Sequence, residues 1–214
     1  MHNINVYLVR HGQSTGNNVG QIGQRFDTTL TDLGREQAKK IGQKFLKEGL
    51  RFDRAFSSSY PRAADTARII VDTIDYKDPL YLSEDLVEYS AGDWKGRKIE
   101  EVFGDIAKVG PLLSRNMEFV FPGGDSLMQV ERRASAWLEK NISYNDAVNA
   151  LAQKRDVNLL VVSHGHTIRC LLHYIMGFST EMLWKMVIYN TAISWVYYNE
   201  RGWHLKSFND TAHL

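Results

Sequence analysis

Tyr7-Leu8-Val9-Arg10-His11-Gly12-Gln13-Ser14 is an apolar stretch that runs without a spacer into an arginine, a histidine and a glycine. With Ile4, Asn5 and Val6 ahead of it, Ile4–Val9 reads as a buried strand, short, apolar and β-branched. A strand holds its last side chains rigidly, and a glycine at its end lets a ligand approach the backbone. An arginine beside a histidine is a poor core pair but a good way to hold an anion against a nucleophile.

Outward from this stretch, strands and helices alternate. Thr31–Gly49 reads as a helix capped by Thr31, with Leu33, Ala38, Ile41 and Phe45 at helical spacing. Arg54–Ser57 is a second strand, and Pro61 opens a helix whose apolar face is Ala64, Ala67, Ile70, Val71 and Ile74. Leu80–Leu82 is a third strand. Residues 88–130 are glycine-rich with scattered aromatics and read as a loop-rich insertion with short helices. Ser126–Leu138 and Asp146–Lys154 read as helices, Asn158–Ser163 as a very apolar strand and Gly165–Met176 as the helix after it. Ala192–Asn199 and His204–Phe208 read as paired strands. The alternation predicts a three-layer α/β domain with a mostly parallel central sheet flanked by helices, and one domain over 1–214.

Composition narrows the partners. The chain has 214 residues, 26 Lys+Arg against 25 Asp+Glu and a formal net charge of +1, so no global field draws it to nucleic acid or a membrane surface. Its single cysteine, Cys170, lies in an apolar run and is expected to be buried. The N-terminus begins on a strand, and no apolar run is long enough to span a membrane, so a cytoplasmic protein is expected. The assembly left open is a homodimer.

Three strand ends share one form: Val9-Arg10-His11-Gly12, Phe56-Ser57-Ser58-Ser59-Tyr60-Pro61-Arg62 and Val162-Ser163-His164-Gly165. Ligands of open α/β sheets bind outside the carboxyl ends of the strands. If these strands are parallel neighbours, Arg10, His11, Arg62 and His164 converge, and their charges need an anion between them. A phosphate fits, because arginine forks match its oxygens and the helix start after His164 offers N–H groups. No metal and no cofactor is implied. His164 and His166 would share a face on a strand, but Gly165 starts a helix and breaks that geometry, and His166 is expected at the surface.

Five ordered motifs carry a resemblance. They are Arg10-His11-Gly12 with Asn17, Asp27-x-x-Leu30-Thr31-x-x-Gly34-x-x-Gln37-Ala38, Ser58-x-x-x-Arg62-Ala63-x-x-Thr66-Ala67, Glu88-x-x-x-Gly92-x-Trp94-x-Gly96 and Val162-Ser163-His164-Gly165. In them the chain resembles the histidine phosphatase superfamily, in its phosphoglycerate-mutase-like branch. The resemblance implies that His11 is the nucleophile that becomes phosphohistidine. It implies that Arg10, Arg62 and His164 form the phosphate pocket, with Asn17, Gly23 and the Gly165 backbone as further binding groups. It makes Glu88 the proton donor to the leaving oxygen, with a pKa expected near the working pH.

Mutases of the family resemble one another in a Glu-Arg-His-Tyr-Gly block and a long insertion. Here the block reads Glu88-Tyr89-Ser90-Ala91-Gly92 and the insertion to Phe121-Pro122-Gly123-Gly124 is short. The pattern resembles the phosphatases. It implies a histidine acid-type phosphatase, a metal-independent phosphoric monoester hydrolase acting on small phosphorylated metabolites. The alternatives are a cofactor-dependent phosphoglycerate mutase and a non-catalytic phosphate-binding module. Tyr89, Trp94, Phe103, Met117, Phe119 and Phe121 could wall the leaving-group site or pack the insertion's own core.

Overall fold

The computed structural model describes residues 2–17, 22–23, 28–104 and 116–214. Asp27 and the side chain of Phe103 lie outside the described residues. In chain order the elements are β1 (Ile4–Arg10), α1 (Asp32–Lys47), β2 (Arg54–Ser58), α2 (Pro61–Thr73), β3 (Leu80–Ser83), α3 (Ile99–Phe103), α4 (Leu127–Leu138), α5 (Asp146–Ala152), β4 (Val157–Ser163), α6 (Gly165–Met176), α7 (Thr180–Lys185), β5 (Ile193–Asn199) and β6 (Gly202–Asp210).

Six strands form one mixed sheet in the order β3-β2-β4-β1-β5-β6. The first four are mutually parallel; β5 and β6 complete the sheet antiparallel. Successive side chains of a strand face opposite ways, and that alternation builds the layers. Ile4, Val6 and Leu8 of β1, with Leu159 and Val161 of β4, pack on Trp137, Leu138, Val148, Ile168 and Leu171 of α4, α5 and α6. Tyr7 and Val9, with Leu160 and Val162, pack on Ile41 and Phe45 of α1 and Ala67 and Ile70 of α2. Burial on both faces is why these strands read as continuous apolar runs. The expected three-layer α/β architecture is the one present.

Local signals worked where they were chemical. Thr31 caps α1, its hydroxyl accepting from Gly34 N at 3.1 Å, and Pro61 occupies the first turn of α2. Three elements escaped the reading: the 3-10 turn Glu84–Leu86, α7, too short at six residues to show a period, and the π-helical turn Glu139–Ser143 that extends α4.

Gly12 has a packing reason that its local sequence does not show. A Cβ there would lie 2.5 Å from the Gly34 carbonyl oxygen, and one on Gly34 would lie 2.0 Å from that of Gln13. The paired glycines let the start of α1 lie directly on the loop after β1, so the missing side chain serves packing.

A candidate active site at the strand ends

β2, β4 and β1 are adjacent and parallel, with Ser57 opposite Val162 and Arg10 opposite Ser163. Their carboxyl ends therefore share one edge, as expected. Alternation along β1 then sends Arg10 and His11 to opposite faces. The Arg10 side chain lies at the start of α6, Nε being 3.7 Å from where a Gly165 Cβ would sit. His11 faces the start of α2 and meets Arg62, whose Nε–H donates to His11 Nε2 at 3.3 Å. The backbone after β1 is pinned by β4 and by the turn before β5: His11 N donates to Ser163 O at 3.0 Å and Asn190 Nδ2 to His11 O at 3.0 Å. Arg10 Nη1 donates to Ile188 O at 2.5 Å.

The ring of His11 is set by these contacts. Nδ1 lies 2.7 Å from Gly12 O, an atom that only accepts, so Nδ1 carries the hydrogen and Nε2 carries the lone pair. Burial, then the charges of His164, Arg10 and Arg62, hold its pKa well below the usual histidine value. The ring is a neutral base pointing its lone pair at a guanidinium.

Arg62 is fully buried. Its Nη1 donates to Thr28 Oγ1 at 3.1 Å and its guanidinium lies 5.2 Å from the Tyr60 ring centre. Burial pulls its pKa down to about 10, which leaves it charged at neutral pH. His164, the N-cap of α6, stands 5.2 Å from His11 between ring centres, with Nε2 2.8 Å from Ser58 Oγ. It too is depressed, by burial first and then by Arg62.

Arg10 Nε, His164 Nδ1 and Arg169 Nε are buried with no hydrogen-bond partner among the described residues. A buried unsatisfied polar group costs roughly 1–3 kcal/mol. Arg10 and His164 flank His11, and an anion there would satisfy both.

Glu88 reaches the site because its segment is tied to β4 and α6. Ser163 Oγ donates to Leu86 O at 2.7 Å, Thr167 Oγ1 to Val87 O at 2.9 Å, and Arg133 to the carbonyls of Asp85 and Glu88 at 2.8 and 3.3 Å. The carboxylate accepts from Tyr89 N on Oε1 and from His166 N on Oε2, both at 3.1 Å. The expectation of a pKa near the working pH is overturned. Burial pushes it up, but His166, by charge and hydrogen bonding, and then His164 bring it well below the ordinary carboxylate range. His166 is likewise not a simple surface residue. Its Nδ1 is 3.5 Å from Glu88 Oε2, its side chain is 25% exposed, and its ring packs edge-on to Tyr89 and Trp184. Gly165 does start α6, and that turn aims His164 and His166 in different directions.

Asn17 Oδ1 is engaged by Ser14 N and Oγ at 2.8 and 2.9 Å, leaving its amide N–H groups as donors. Gly23 sits at φ +61° against Ala91, with its backbone bonded to the Tyr89 hydroxyl. The insertion's aromatics pack largely on one another: Tyr89 stacks on Phe121 at 5.1 Å, and Phe119 and Trp94 meet Phe121 edge-on. Met117 joins Leu127, Val130, Cys170 and Leu183 in a small core. Cys170 is buried and free, as expected.

Sequence reasoning missed the supports of the site. Thr66 Oγ1 accepts from Gly12 N at 3.0 Å, Ser58 holds His164, and Thr28 holds Arg62. Thr66 and Ser58 stood inside the quoted motifs, so their spacing was the available signal. Among the described residues no cluster of three or more His, Cys, Asp or Glu is placed to hold a metal ion, and no helix is long and apolar enough to cross a membrane.

The sheet of this α/β protein gathers at its strand ends two arginines and two histidines whose charged forms are disfavoured, with a carboxylate beside them. The chain belongs to the histidine phosphatase superfamily (branch 1), which matches residues 6–211. It is 31% identical over 192 residues to "Putative phosphoserine phosphatase 2" of Hydrogenobacter thermophilus, covering 88% of this chain and 87% of that one. It is 28% identical over 217 residues to "Probable phosphoglycerate mutase GpmB" of Yersinia pestis, covering 99% of this chain and 95% of the other. The phosphoserine phosphatase of Entamoeba histolytica, solved with phosphoserine as a mutant and also with 3-phosphoglyceric acid, superposes with a TM-score of 0.78 at 27% identity over 99% of both chains. A mycobacterial glucosyl-3-phosphoglycerate phosphatase, at 19% identity and TM-score 0.82 over 98% of this chain and 100% of that one, shares the fold. Membership and the phosphatases among these relatives support phosphatase activity.

Proposed function

We propose that this protein is a metal-independent phosphomonoesterase that works through a phosphohistidine on His11. The observation that carries the reading is the state of the His11 ring: its hydrogen is committed to Gly12 O, its Nε2 lone pair faces Arg62, and burial first, then the charged neighbours, disfavour its protonated form. A phosphoryl group in flight spreads charge over its equatorial oxygens, so positioning and positive charge do most of the catalysis. Arg10 and Arg62 supply that charge. His164 Nδ1, Asn17 and the N-terminus of α6 at Gly165 complete the cradle. Glu88 protonates the departing alcohol, a contribution typically worth ~10²–10⁴-fold, and water then cleaves the phosphohistidine.

Small phosphorylated metabolites are the substrate class. The Entamoeba histolytica enzyme's complexes with phosphoserine and 3-phosphoglyceric acid favour small phosphorylated acids. Hydrolysis of p-nitrophenyl phosphate in excess EDTA, with an acid-labile phosphoenzyme trapped on rapid quenching, is the expected result. Undiminished activity in His11→Ala would sink the reading. The likeness to the Yersinia pestis protein keeps a mutase as the second reading. Exchange between 2- and 3-phosphoglycerate faster than phosphate release would favour it.

A further inference from the structure

Glu88, the acid of the reading above, accepts from His166 N at 3.1 Å and stands 3.5 Å from His166 Nδ1, a setting that favours its ionised form, and an anion has no proton to donate. The proton must come from a neighbour. Tyr89 N and His166 N are backbone amides, which hold their hydrogens at neutral pH. The Thr167 hydroxyl is 3.5 Å from Glu88 Oε1 and donates to Val87 O. Arg10, Arg62 and Arg169 are guanidinium groups, which do not give up protons in proteins. His164 is fully buried and its charged form is disfavoured. Tyr89 and Cys170 also feel the Glu88 charge, but burial pushes both pKa values up, away from release; His166 is in direct contact, its Nδ1 at ion-pair distance from Oε2 and its side chain 25% exposed.

We propose that His166 is the proton reservoir of Glu88, a positioning residue acting through that carboxylate. A phosphate dianion docked on Arg10 and Arg62 faces the Glu88 charge and disfavours its ionised form. The proton on His166 Nδ1 then passes to Glu88 Oε2 and leaves a neutral imidazole. As the bond from His11 Nε2 to phosphorus forms and the ester P–O bond breaks, that proton goes to the leaving oxygen, which departs as an alcohol. In the second half, water attacks phosphorus, the P–N bond breaks with its electron pair returning to His11, and Glu88 takes the water's proton. The proton returns to His166, and the enzyme is back at its starting state. This inference rests on Glu88 being the acid.

The backbone N–H that anchors Glu88 belongs to residue 166 whatever its side chain, so His166→Asn removes the reservoir and keeps the anchor. The experiment compares His166→Asn and Glu88→Gln on p-nitrophenyl phosphate, whose leaving group needs no proton, and on an alkyl phosphomonoester, whose leaving group does. Expected for His166→Asn is a loss of about tenfold on the alkyl ester and less than about twofold on the aryl ester. Glu88→Gln is expected to lose more on the alkyl ester than His166→Asn does. A collapsed Glu88→Gln beside a His166→Asn with the wild-type alkyl-to-aryl ratio overturns the reservoir and leaves Glu88 as the acid. Equal losses on both esters in His166→Asn also overturn it. Full alkyl activity in Glu88→Gln overturns the acid assignment itself. His166→Gln repeats the comparison if His166→Asn folds poorly.

Discussion

His164 and His166 stand two residues apart and live in opposite electrostatic settings. His164 is fully buried beside Ser58, Tyr60 and Arg62, where burial and a neighbouring cation disfavour its charged form. His166 is a quarter exposed and faces a carboxylate at 3.5 Å. The switch from β4 to α6 falls between them, so one side chain continues the sheet edge and the other belongs to a helix surface. The pocket is thereby split: a cationic, dry end where burial and neighbouring charges disfavour the charged form of both imidazoles, and a wetter end where an imidazole faces a carboxylate. Imidazole chemistry follows the neighbours, not the residue type.

The comparison breaks most visibly at its dry end. His11→Ala is expected to lower phosphate release by roughly 10⁴-fold or more, the scale on which removal of a nucleophile acts, and to abolish the trapped phosphoenzyme. At the wetter end Glu88→Gln should cost ~10²–10⁴-fold in phosphoenzyme formation from alkyl esters and far less in its formation from p-nitrophenyl phosphate, while the shared hydrolysis of the phosphohistidine slows alike for both. Leaving-group dependence read from a series of phosphomonoesters checks that split.

Acid sharpens the comparison further. The folded-state pKa values of His11 and His164 lie below the unfolded value of about 6.5. Between those limits the unfolded chain binds protons that the native state refuses, so each histidine lowers stability by ~1.4 kcal/mol per pH unit as pH falls below about 6.5. Glu88 acts in the same direction at lower pH, its stabilisation being lost as pH falls through its depressed folded value. Denaturant melts from pH 7.5 to 5 should show this slope, shallower in His11→Asn. The smallest effect is expected for Ser58→Ala, which removes one buried hydrogen bond to His164. Leaving that buried nitrogen without its partner costs roughly 1–3 kcal/mol of stability, read as a lower denaturant midpoint.

The sheet and the dry end were legible in the chain for a common reason. Buried parallel strands must be apolar throughout, so Ile4–Val9 and Asn158–Ser163 announce themselves, and the polar residues that interrupt them mark strand ends. The wetter end was legible only in part: its motif marked Glu88, but not the imidazole beside it. His166 follows Gly165 on a helix start, and nothing in its local sequence says that the segment after β3 will be laid across it. Contacts 77 to 80 residues apart in the chain, Ser163 to Leu86 and Thr167 to Val87, bring Glu88 there. The reason for Gly12 was hidden the same way, because the carbonyl that fills its space belongs to Gly34.

What the sequence determined by itself was the layered α/β architecture and the groups available to a phosphate: periodicity fixes strands and helices, and strand-end polar residues have nowhere else to go. Only the tertiary structure decided their protonation. The tautomer of His11, the neutrality of His164 and the ionisation of Glu88 each depend on burial and on charges that the fold brings within a few ångströms. Desolvation and Coulomb forces act through space, and the linear order of residues does not encode distance.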